Sequence, residues 1–255
     1  AAIQPDTALI SIMAANNEVG SLQPITEIGA IAKKEGVLFH SDTVQAIGTI
    51  PLDTQAFHID MLGMSAHKFY GPKGVGVLYM KAGTPYTPHS TGGSHEAGRR
   101  PGTENIASIV GLATALEIAY ENRDRYTRHL SALRDKLIEG VLTAVPDSQL
   151  TGHPTERLPQ HASFVFADCD ASALLMHLDS HNIGGASGSA CDTGMPEPSA
   201  VLLAMGIEPQ LALGALRLTL GRSTTEAKID FVIETLPNVV EKVRHLQKAQ
   251  QAVVS

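Results

Sequence analysis

Tryptophan is absent from this chain, and cysteine occurs only twice, at Cys169 and Cys191. Two cysteines cannot build the disulfide framework that stabilises small secreted domains, so a reducing, cytoplasmic setting is the simpler expectation. No apolar stretch approaches the roughly 20 residues that a membrane-spanning helix needs, which predicts no membrane partner. Basic runs are also missing, and the formal net charge is −7. An acidic chain without basic patches predicts no nucleic-acid partner.

The composition that remains supports a folded core, and the order of apolar patterns indicates how the chain is arranged. Of the 255 residues, 43% are hydrophobic and 18% are charged, which is enough for one large domain or two modest ones. An apolar strand at 8–13 precedes a helical apolar pattern at 25–31, with Thr26 as the expected cap, and a second strand follows at 37–40. This alternation is typical of a mostly parallel sheet with crossover helices.

The most informative stretch is Ser-Ala-His-Lys-Phe-Tyr-Gly-Pro-Lys-Gly at 65–74. Apolar runs at 59–64 and 75–80 predict a strand on either side of it, and the Gly-Pro pair predicts a turn. Lys68 therefore stands at the mouth of a strand–loop–strand unit, where its amine can reach into a pocket. A lysine amine forms a Schiff base with an aldehyde cofactor once it is desolvated or crowded by positive charge. Taken alone, such a lysine is more often a solvated loop residue.

Three further motifs change that interpretation. Asp42 follows the second strand, 26 residues before Lys68, and an acidic side chain there can keep a pyridoxal ring nitrogen protonated. Met-Ala-Ala-Asn-Asn-Glu-Val-Gly at 13–20 also follows a strand, and Ser-Gly-Ser-Ala-Cys at 187–191 is a glycine- and serine-rich run that ends in a thiol. In this order and spacing the motifs resemble the NifS/IscS type of cysteine desulfurase, a fold-type I pyridoxal-phosphate enzyme. The resemblance extends from 9 to 229.

The resemblance implies a pyridoxal 5'-phosphate site in which each residue has a role. Lys68 would bond covalently to the cofactor and then remove the α-proton of the substrate, while Asp42 keeps the ring nitrogen protonated. Gln45 and Asn17 are similar to the residues that hydrogen-bond the ring oxygen, and Asn17 would also touch the substrate.

The remaining site residues implied by the resemblance surround these four. Ser65 and His67 flank the lysine as cofactor contacts, and His67 is also a candidate catalytic proton carrier. The Gly-Gly…Arg-x-Gly-Thr pattern that ends at Thr103 resembles the family's dimer interface, where Thr103 would reach the phosphate of the partner subunit's cofactor. Arg217 is similar to the arginine that binds the substrate carboxylate, a task suited to its bidentate fork. Cys191, on a glycine-rich loop, would take the substrate sulfur as a persulfide.

The expected fold class is α/β, with the architecture of a fold-type I pyridoxal-phosphate transferase. Residues 1–121 would be the C-terminal portion of the large, mostly parallel sheet domain, and residues 122–255 a small α+β domain that carries the cysteine loop. Relative to the family, roughly the first third is absent. The chain is therefore expected to be a fragment, a cleaved chain or one half of a split enzyme, and in the last case a separate N-terminal segment would be a partner. The apolar patterns predict helices at 106–121, 127–144, 171–181, 199–205 and 225–247, and strands at 161–166, 183–186 and 214–220.

Three residues are expected to have no chemical role. His177 and His181 are spaced like a metal-binding pair, but the sequence has no glutamate at the required position between them and no third ligand nearby. They are therefore predicted to be surface residues that bind no metal. Cys169 follows an apolar strand and is predicted to be a structural thiol.

The predicted function is the conversion of L-cysteine to L-alanine, with sulfur passing through a persulfide on Cys191 to an acceptor protein, in a homodimer. The acceptor would be an iron–sulfur scaffold, a tRNA-thiolation protein or a DNA-modification partner, which the sequence does not distinguish. A class V aminotransferase or a selenocysteine lyase would share Lys68 and Asp42, although a transaminase has no use for the Cys191 loop. The chain could also be a catalytically inactive interaction module that keeps the dimer and acceptor surfaces.

Overall fold

The computed structural model describes residues 2–188 and 197–254, and it divides into two compact units. Unit 1 comprises Ala1–Ala15 and Gln23–Asp124, and unit 2 comprises Asn16–Leu22 and Arg125–Ser255. The short segment 16–22 therefore groups with residues far along the chain and not with its sequence neighbours. The division of the chain into domains at 121 and 122 stays a prediction.

A four-stranded sheet forms the frame of unit 1. Its order is β1-β2-β3-β4, in which β1, β2 and β3 are parallel and β4 pairs with β3 in the antiparallel sense. One helix, α1, connects β1 to β2 in the manner of a βαβ crossover. The predicted α/β class with a mostly parallel sheet is confirmed. The elements are β1 (Leu9–Ser11), α1 (Ile25–Glu35), β2 (Leu38–Asp42), β3 (Met61–Ser65) and β4 (Gly76–Met80).

The ends of α1 follow ordinary capping rules, except that the predicted cap is wrong. Pro24, and not Thr26, is the N-cap residue, and it makes no side-chain capping bond. Gly36 ends the helix in the left-handed conformation, with φ of 68°, which glycine adopts at little cost. Gly29 allows α1 to pack closely on the turn that contains Phe57, because a Cβ there would lie 1.9 Å from the Phe57 carbonyl oxygen.

A single helix, α3 (Ile106–Ala144), replaces the two helices predicted at 106–121 and 127–144. The residues between them read Asn-Arg-Asp-Arg-Tyr and include neither glycine nor proline, so nothing in the backbone interrupts the helix. The polar and charged residues at 122–126 therefore interrupt the apolar pattern without interrupting the helix. A short four-residue helix, α2 (His95–Gly98), precedes it.

Unit 2 is built on a three-stranded antiparallel sheet of order β5-β6-β7. The strand predicted at 183–186 is wrong, because only an isolated bridge between Ala186 and Arg217 forms there. Gly185 explains the close approach, since a Cβ on it would lie 2.9 Å from a methyl group of Leu216. The elements are β5 (Ser148–Leu150), β6 (His161–Phe166), α4 (Ala171–Asp179), α5 (Ala200–Ala204), α6 (Pro209–Ala212), β7 (Ala215–Thr219) and α7 (Glu226–Val254).

Each unit has its own apolar core. In unit 1, helix α3 packs on the turn that follows β3, and the buried cluster is Ile47, Ala66, Phe69 and Leu112. In unit 2, strand β6 is buried on both faces, between α3, α4 and α7 on one side and α5 and α6 on the other. Across residues 2–188 and 197–254, no helix is long and apolar enough to cross a membrane.

Candidate active site

The carboxyl ends of β2 and β3 place the acidic and lysine motifs at one edge of the unit 1 sheet. Asp42 is the last residue of β2 and pairs with Gly63 of β3, which runs parallel to it. Ser65 ends β3 two residues later, and Lys68 lies in the 3-10 turn Ala66–Phe69 that follows at once. Ligands of open α/β sheets bind outside the carboxyl ends of parallel strands, and these side chains lie there.

Buried neighbours fix the backbone that carries Lys68. Ala66 and Phe69 are buried on either side of it, whereas the Lys68 side chain is exposed. The turn closes with Tyr70 in a left-handed conformation, with φ of 69°, and with a bond from the Gly71 N–H to the Ala66 carbonyl at 2.9 Å. A Cβ at Gly71 would lie 2.9 Å from that of Ala66, so the tight turn requires glycine there. The lysine is thus an exposed side chain on a backbone that its buried neighbours hold in place.

The polar groups around Asp42 are also held locally. Its Oδ1 accepts a bond from the Val44 N–H at 2.9 Å, and Gln45 follows, half-buried, in the same turn. The Thr43 hydroxyl donates to the Gly63 carbonyl at 2.8 Å, which ties this turn to β3. Both an exposed carboxylate and a half-buried amide are therefore presented at the strand edge.

Two further side chains flank the lysine as the sequence predicts. Ser65 Oγ and His67 Nδ1 lie 2.8 Å apart, so the serine and the exposed imidazole form one hydrogen-bonded pair. On the strand, Gly63 shares the Asp42 face, and a Cβ there would have its nearest neighbour, His40 Nε2, at 3.9 Å. The missing side chain leaves open space beside the carboxylate.

These residues fit pyridoxal phosphate chemically. A carboxylate at a strand end, an exposed lysine amine on a rigid turn and a glycine that leaves space beside them are the groups that a flat, cationic ring with a reactive aldehyde requires. Thr103 lies elsewhere in unit 1, exposed in the loop before α3. In that loop, Arg100 Nη1 donates to the carbonyls of Pro101 and Gly102, at 3.2 Å each, and shapes the backbone around Thr103.

Asn17 and Arg217 belong to unit 2. Arg217 lies on β7, and its Nη1 donates a 2.7 Å bond to the backbone carbonyl of Asn17, so the structure brings these two predicted substrate residues into contact. The exposed Asn17 side chain lies on the turn 16–22, where Asn16 Oδ1 accepts bonds from the N–H groups of Glu18 at 2.8 Å and Val19 at 3.0 Å. A rigid turn and a strand thus present an amide and a guanidinium together.

Cys191 lies outside the residues that the structure describes, but described residues before and after it in the sequence lie against one acidic side chain. Ser199, the N-cap of α5, donates from Oγ to Glu18 Oε2 at 2.5 Å. A Cβ on Gly188 would lie 2.7 Å from the same Glu18 oxygen. Glu18 follows Asn17 directly, so the turn that carries Asn17 also contacts the described residues before and after the cysteine.

The surroundings of the other thiol, Cys169, disfavour reaction. Cys169 is only 5% exposed, and its Sγ lies 4.0 Å from the Val240 carbonyl oxygen. Burial raises the pKa of Cys169 to about 11, although Arg244 nearby opposes the shift. A thiol that is both protonated and covered is a poor nucleophile, which agrees with the structural role predicted for it.

Sequence reasoning missed a buried polar group under the Asn17 turn. Arg157 and His161 are 3% and 2% exposed, and both bond to carbonyls of segment 16–22. No motif indicates them, because His161 opens an apolar strand and Arg157 stands in an ordinary loop sequence. Among the described residues, no group of three or more His, Cys, Asp or Glu side chains could hold a metal ion.

Comparison with known proteins identifies the family. Residues 1–232 match the family described as aminotransferase class-V, and the chain belongs to that family. Enzymes of this class, including the cysteine desulfurase relatives, depend on pyridoxal phosphate.

Among curated relatives, the cysteine desulfurase IscS of Methanosarcina thermophila is 46% identical over 245 residues, which is 96% of this chain and 60% of that protein. The cysteine desulfurase NifS of Azotobacter vinelandii is 45% identical over 94% of this chain and 60% of its own length. The chain thus spans about 60% of the length of the curated relatives it matches.

Solved structures show the same fold. A NifS-like protein superposes with a TM-score of 0.85 at 36% identity, covering 94% of this chain and 63% of its own. A NifS-like protein from Rickettsia africae gives a TM-score of 0.84 at 33% identity, covering 91% of this chain and 62% of its own. The predicted fold-type I architecture and the resemblance to cysteine desulfurases are confirmed.

Proposed function

We propose that this chain forms part of a pyridoxal-phosphate-dependent cysteine desulfurase that converts L-cysteine to L-alanine. The observation that carries the proposal is the placement of Lys68 on a rigid turn at the carboxyl end of β3, next to the strand that ends in Asp42. The names of the relatives, cysteine desulfurases at 45 to 46% identity, support the same assignment.

The residues at the strand edge would hold the cofactor and move one proton. Lys68 Nζ would bond to the cofactor aldehyde, Asp42 would pair with the ring nitrogen, and Gln45 would donate to the ring oxygen. When bound, pyridoxal phosphate supplies a cationic ring that withdraws electrons from the substrate α-carbon. Lys68 Nζ, once released, would accept the α-proton, with the Ser65–His67 pair beside it as a cofactor contact and proton carrier.

The second unit would bind the substrate and receive its sulfur. Arg217, already bonded to the Asn17 carbonyl, would bind the L-cysteine carboxylate, and the Asn17 amide would contact cofactor and substrate. The Cys191 thiolate would then form an S–S bond with the substrate sulfur while the carbon–sulfur bond breaks and its electron pair goes to carbon. Protonation of that carbon yields L-alanine and leaves a persulfide on Cys191.

The wider setting is part of the same proposal. We infer that the enzyme acts as a cytoplasmic homodimer in which Thr103 contacts the phosphate of the partner subunit's cofactor. The N-terminal part of the family, in the same or a separate polypeptide, would complete the cofactor site. A sulfur-acceptor protein, either an iron–sulfur scaffold or a thiolation protein, would receive the persulfide sulfur. The relatives' names IscS and NifS favour iron–sulfur cluster synthesis.

Borohydride reduction of the holoenzyme, followed by peptide mapping, tests the assignment. We expect a phosphopyridoxyl group on Lys68, lost in Lys68→Ala and retained in Lys73→Ala, because Lys73 lies in the same loop but beyond the rigid turn. A label on Lys73 or Lys81 would contradict the site. A protein that takes up no cofactor and stays colourless would indicate the inactive interaction module, and cofactor uptake without alanine release from L-cysteine would indicate a related class V activity.

A further inference from the structure

The turn that carries Asn17 is held from below by a buried polar group. Arg157 is 3% exposed, and its guanidinium donates hydrogen bonds to backbone carbonyls, which include Val19 at 3.0 Å and Thr151 at 3.1 Å. Two backbone hydrogen bonds also join segment 16–22 to the loop before β6. The Leu158 N–H donates to the Gly20 carbonyl at 2.8 Å, and the Leu22 N–H donates to the Glu156 carbonyl at 2.9 Å. The turn is therefore fixed to the loop that precedes β6.

Within this contact, one carbonyl oxygen receives two side-chain donors. His161 Nε2 lies 3.1 Å from the Asn17 carbonyl oxygen, and Arg217 Nη1 lies 2.7 Å from it. A carbonyl only accepts, so Nε2 must carry the ring proton. Asn17 and Arg217 are both proposed substrate contacts, and this oxygen joins them to a histidine that is only 2% exposed.

The imidazole of His161 is locked in place. It is 2% exposed, and a Cβ on Gly20 would lie 2.6 Å from its Nδ1, so the ring packs directly against the turn. Burial lowers the pKa of His161 to about 4, partly offset by its bond to Asn17, and the ring is neutral at physiological pH. Nδ1 is buried without a hydrogen-bond partner among the described residues, so the bond from Nε2 is the one polar contact that its ring makes there.

We propose that His161 is a positioning residue for substrate binding, which orients the Asn17 peptide and, through their shared carbonyl, the guanidinium of Arg217. This inference rests on the proposed function, because it assigns His161 to the substrate site of that enzyme. Without the Nε2–H donor, the Asn17 carbonyl would keep only its bond from Arg217 Nη1. Arg217 would then share a less firmly held acceptor, and its remaining N–H groups would be aimed less accurately at a carboxylate. The effect should therefore fall on binding more than on turnover.

Two substitutions separate positioning from packing. His161→Leu fills the space against Gly20 but removes the donor, and His161→Gln keeps an N–H donor near the position of Nε2. His129→Leu is a matched control, because His129 Nε2 also contacts a carbonyl, that of Thr224, at 3.1 Å, away from Asn17. In the holoenzyme we expect His161→Leu to raise KM for L-cysteine about five- to ten-fold, with kcat within about two-fold of the parent value. In His161→Gln and His129→Leu, KM and kcat should both stay near the parent values.

A second measurement does not need activity. In nitrogen-15 NMR of the chain, the His161 proton should be on Nε2, and the Arg217 Nε–H and Glu18 amide signals should shift or broaden in His161→Leu but not in His161→Gln or His129→Leu. A proton on Nδ1, unchanged signals in His161→Leu, or equal effects of Leu and Gln would overturn the inference. If the parent holoenzyme releases no alanine from L-cysteine, the proposed function fails, and the NMR result still decides whether His161 positions Asn17 and Arg217.

Discussion

Cys169 should be almost unreactive in the folded protein, and a single-thiol variant makes the effect measurable. In Cys191→Ala, Cys169 is the only remaining thiol, so any thiol reagent reports on it alone. Burial raises its pKa to about 11. At pH 8 about one molecule in a thousand would then be thiolate, against about a quarter for a free thiol with pKa of about 8.5, which is a difference of about two-hundred-fold. The 5% exposure of the residue reduces access further.

Iodoacetamide at pH 8 provides the assay. The alkylation rate of Cys191→Ala should be at least about 100-fold lower in native buffer than in denaturant, where the same thiol regains an ordinary pKa and full access. Cys169→Ala is the matched control, in which Cys191 alone is labelled and should react readily without denaturant. A native rate for Cys169 within about ten-fold of the denatured rate would refute the reasoning from burial.

Two stability predictions concern the region around the Asn17 turn. Gly20→Ala should lower the free energy of unfolding by more than about 2 kcal/mol, because Gly20 has a left-handed φ of 76° and an added Cβ would clash with the His161 ring. Gly36→Ala, at φ of 68° with open space around it, should lower it by only about 1 kcal/mol. Equal losses of the two variants in urea unfolding would contradict this prediction. Lowering the pH from 6.5 to 4 should also reduce the free energy of unfolding by up to roughly 3 kcal/mol. The reason is that His161 stays neutral in the folded chain until the pH falls to about 4, whereas in the unfolded chain it is protonated below about pH 6.5. His161→Gln should flatten that slope and His129→Leu should not; an identical slope in both variants would show that His161 is not the group responsible.

The sequence predicted those parts of the fold that depend on local patterns. The strand–turn–strand unit around Lys68 and the crossover from β1 through α1 to β2 appear where the apolar spacing indicated, because burial and turn residues set both. Boundaries of helices were less accurate. The predicted break near 122–126 reflected charged residues, and charge alone does not end a helix.

The sequence predicted the site residues that lie in local motifs, but not the residues that are placed by contacts between distant parts of the chain. Lys68 and Asp42 stand at strand ends that the sequence reveals, but their roles remain predictions. The membership of segment 16–22 in unit 2 depends on contacts with Arg157 and His161, more than a hundred positions away, and no local pattern encodes such contacts. Buried polar residues of this kind are identified only when the partners of each carbonyl are known.

Persulfide mapping tests the central claim most directly. The holoenzyme is incubated with L-cysteine, labelled with a sulfur-selective probe and analysed by peptide mass spectrometry, in parallel with Cys191→Ala and Cys169→Ala. We predict a persulfide on Cys191 in the parent and in Cys169→Ala, and none in Cys191→Ala, which should still bind the cofactor through Lys68 because that bond does not involve the thiol. A persulfide on Cys169, or one that survives in Cys191→Ala, would contradict the desulfurase mechanism.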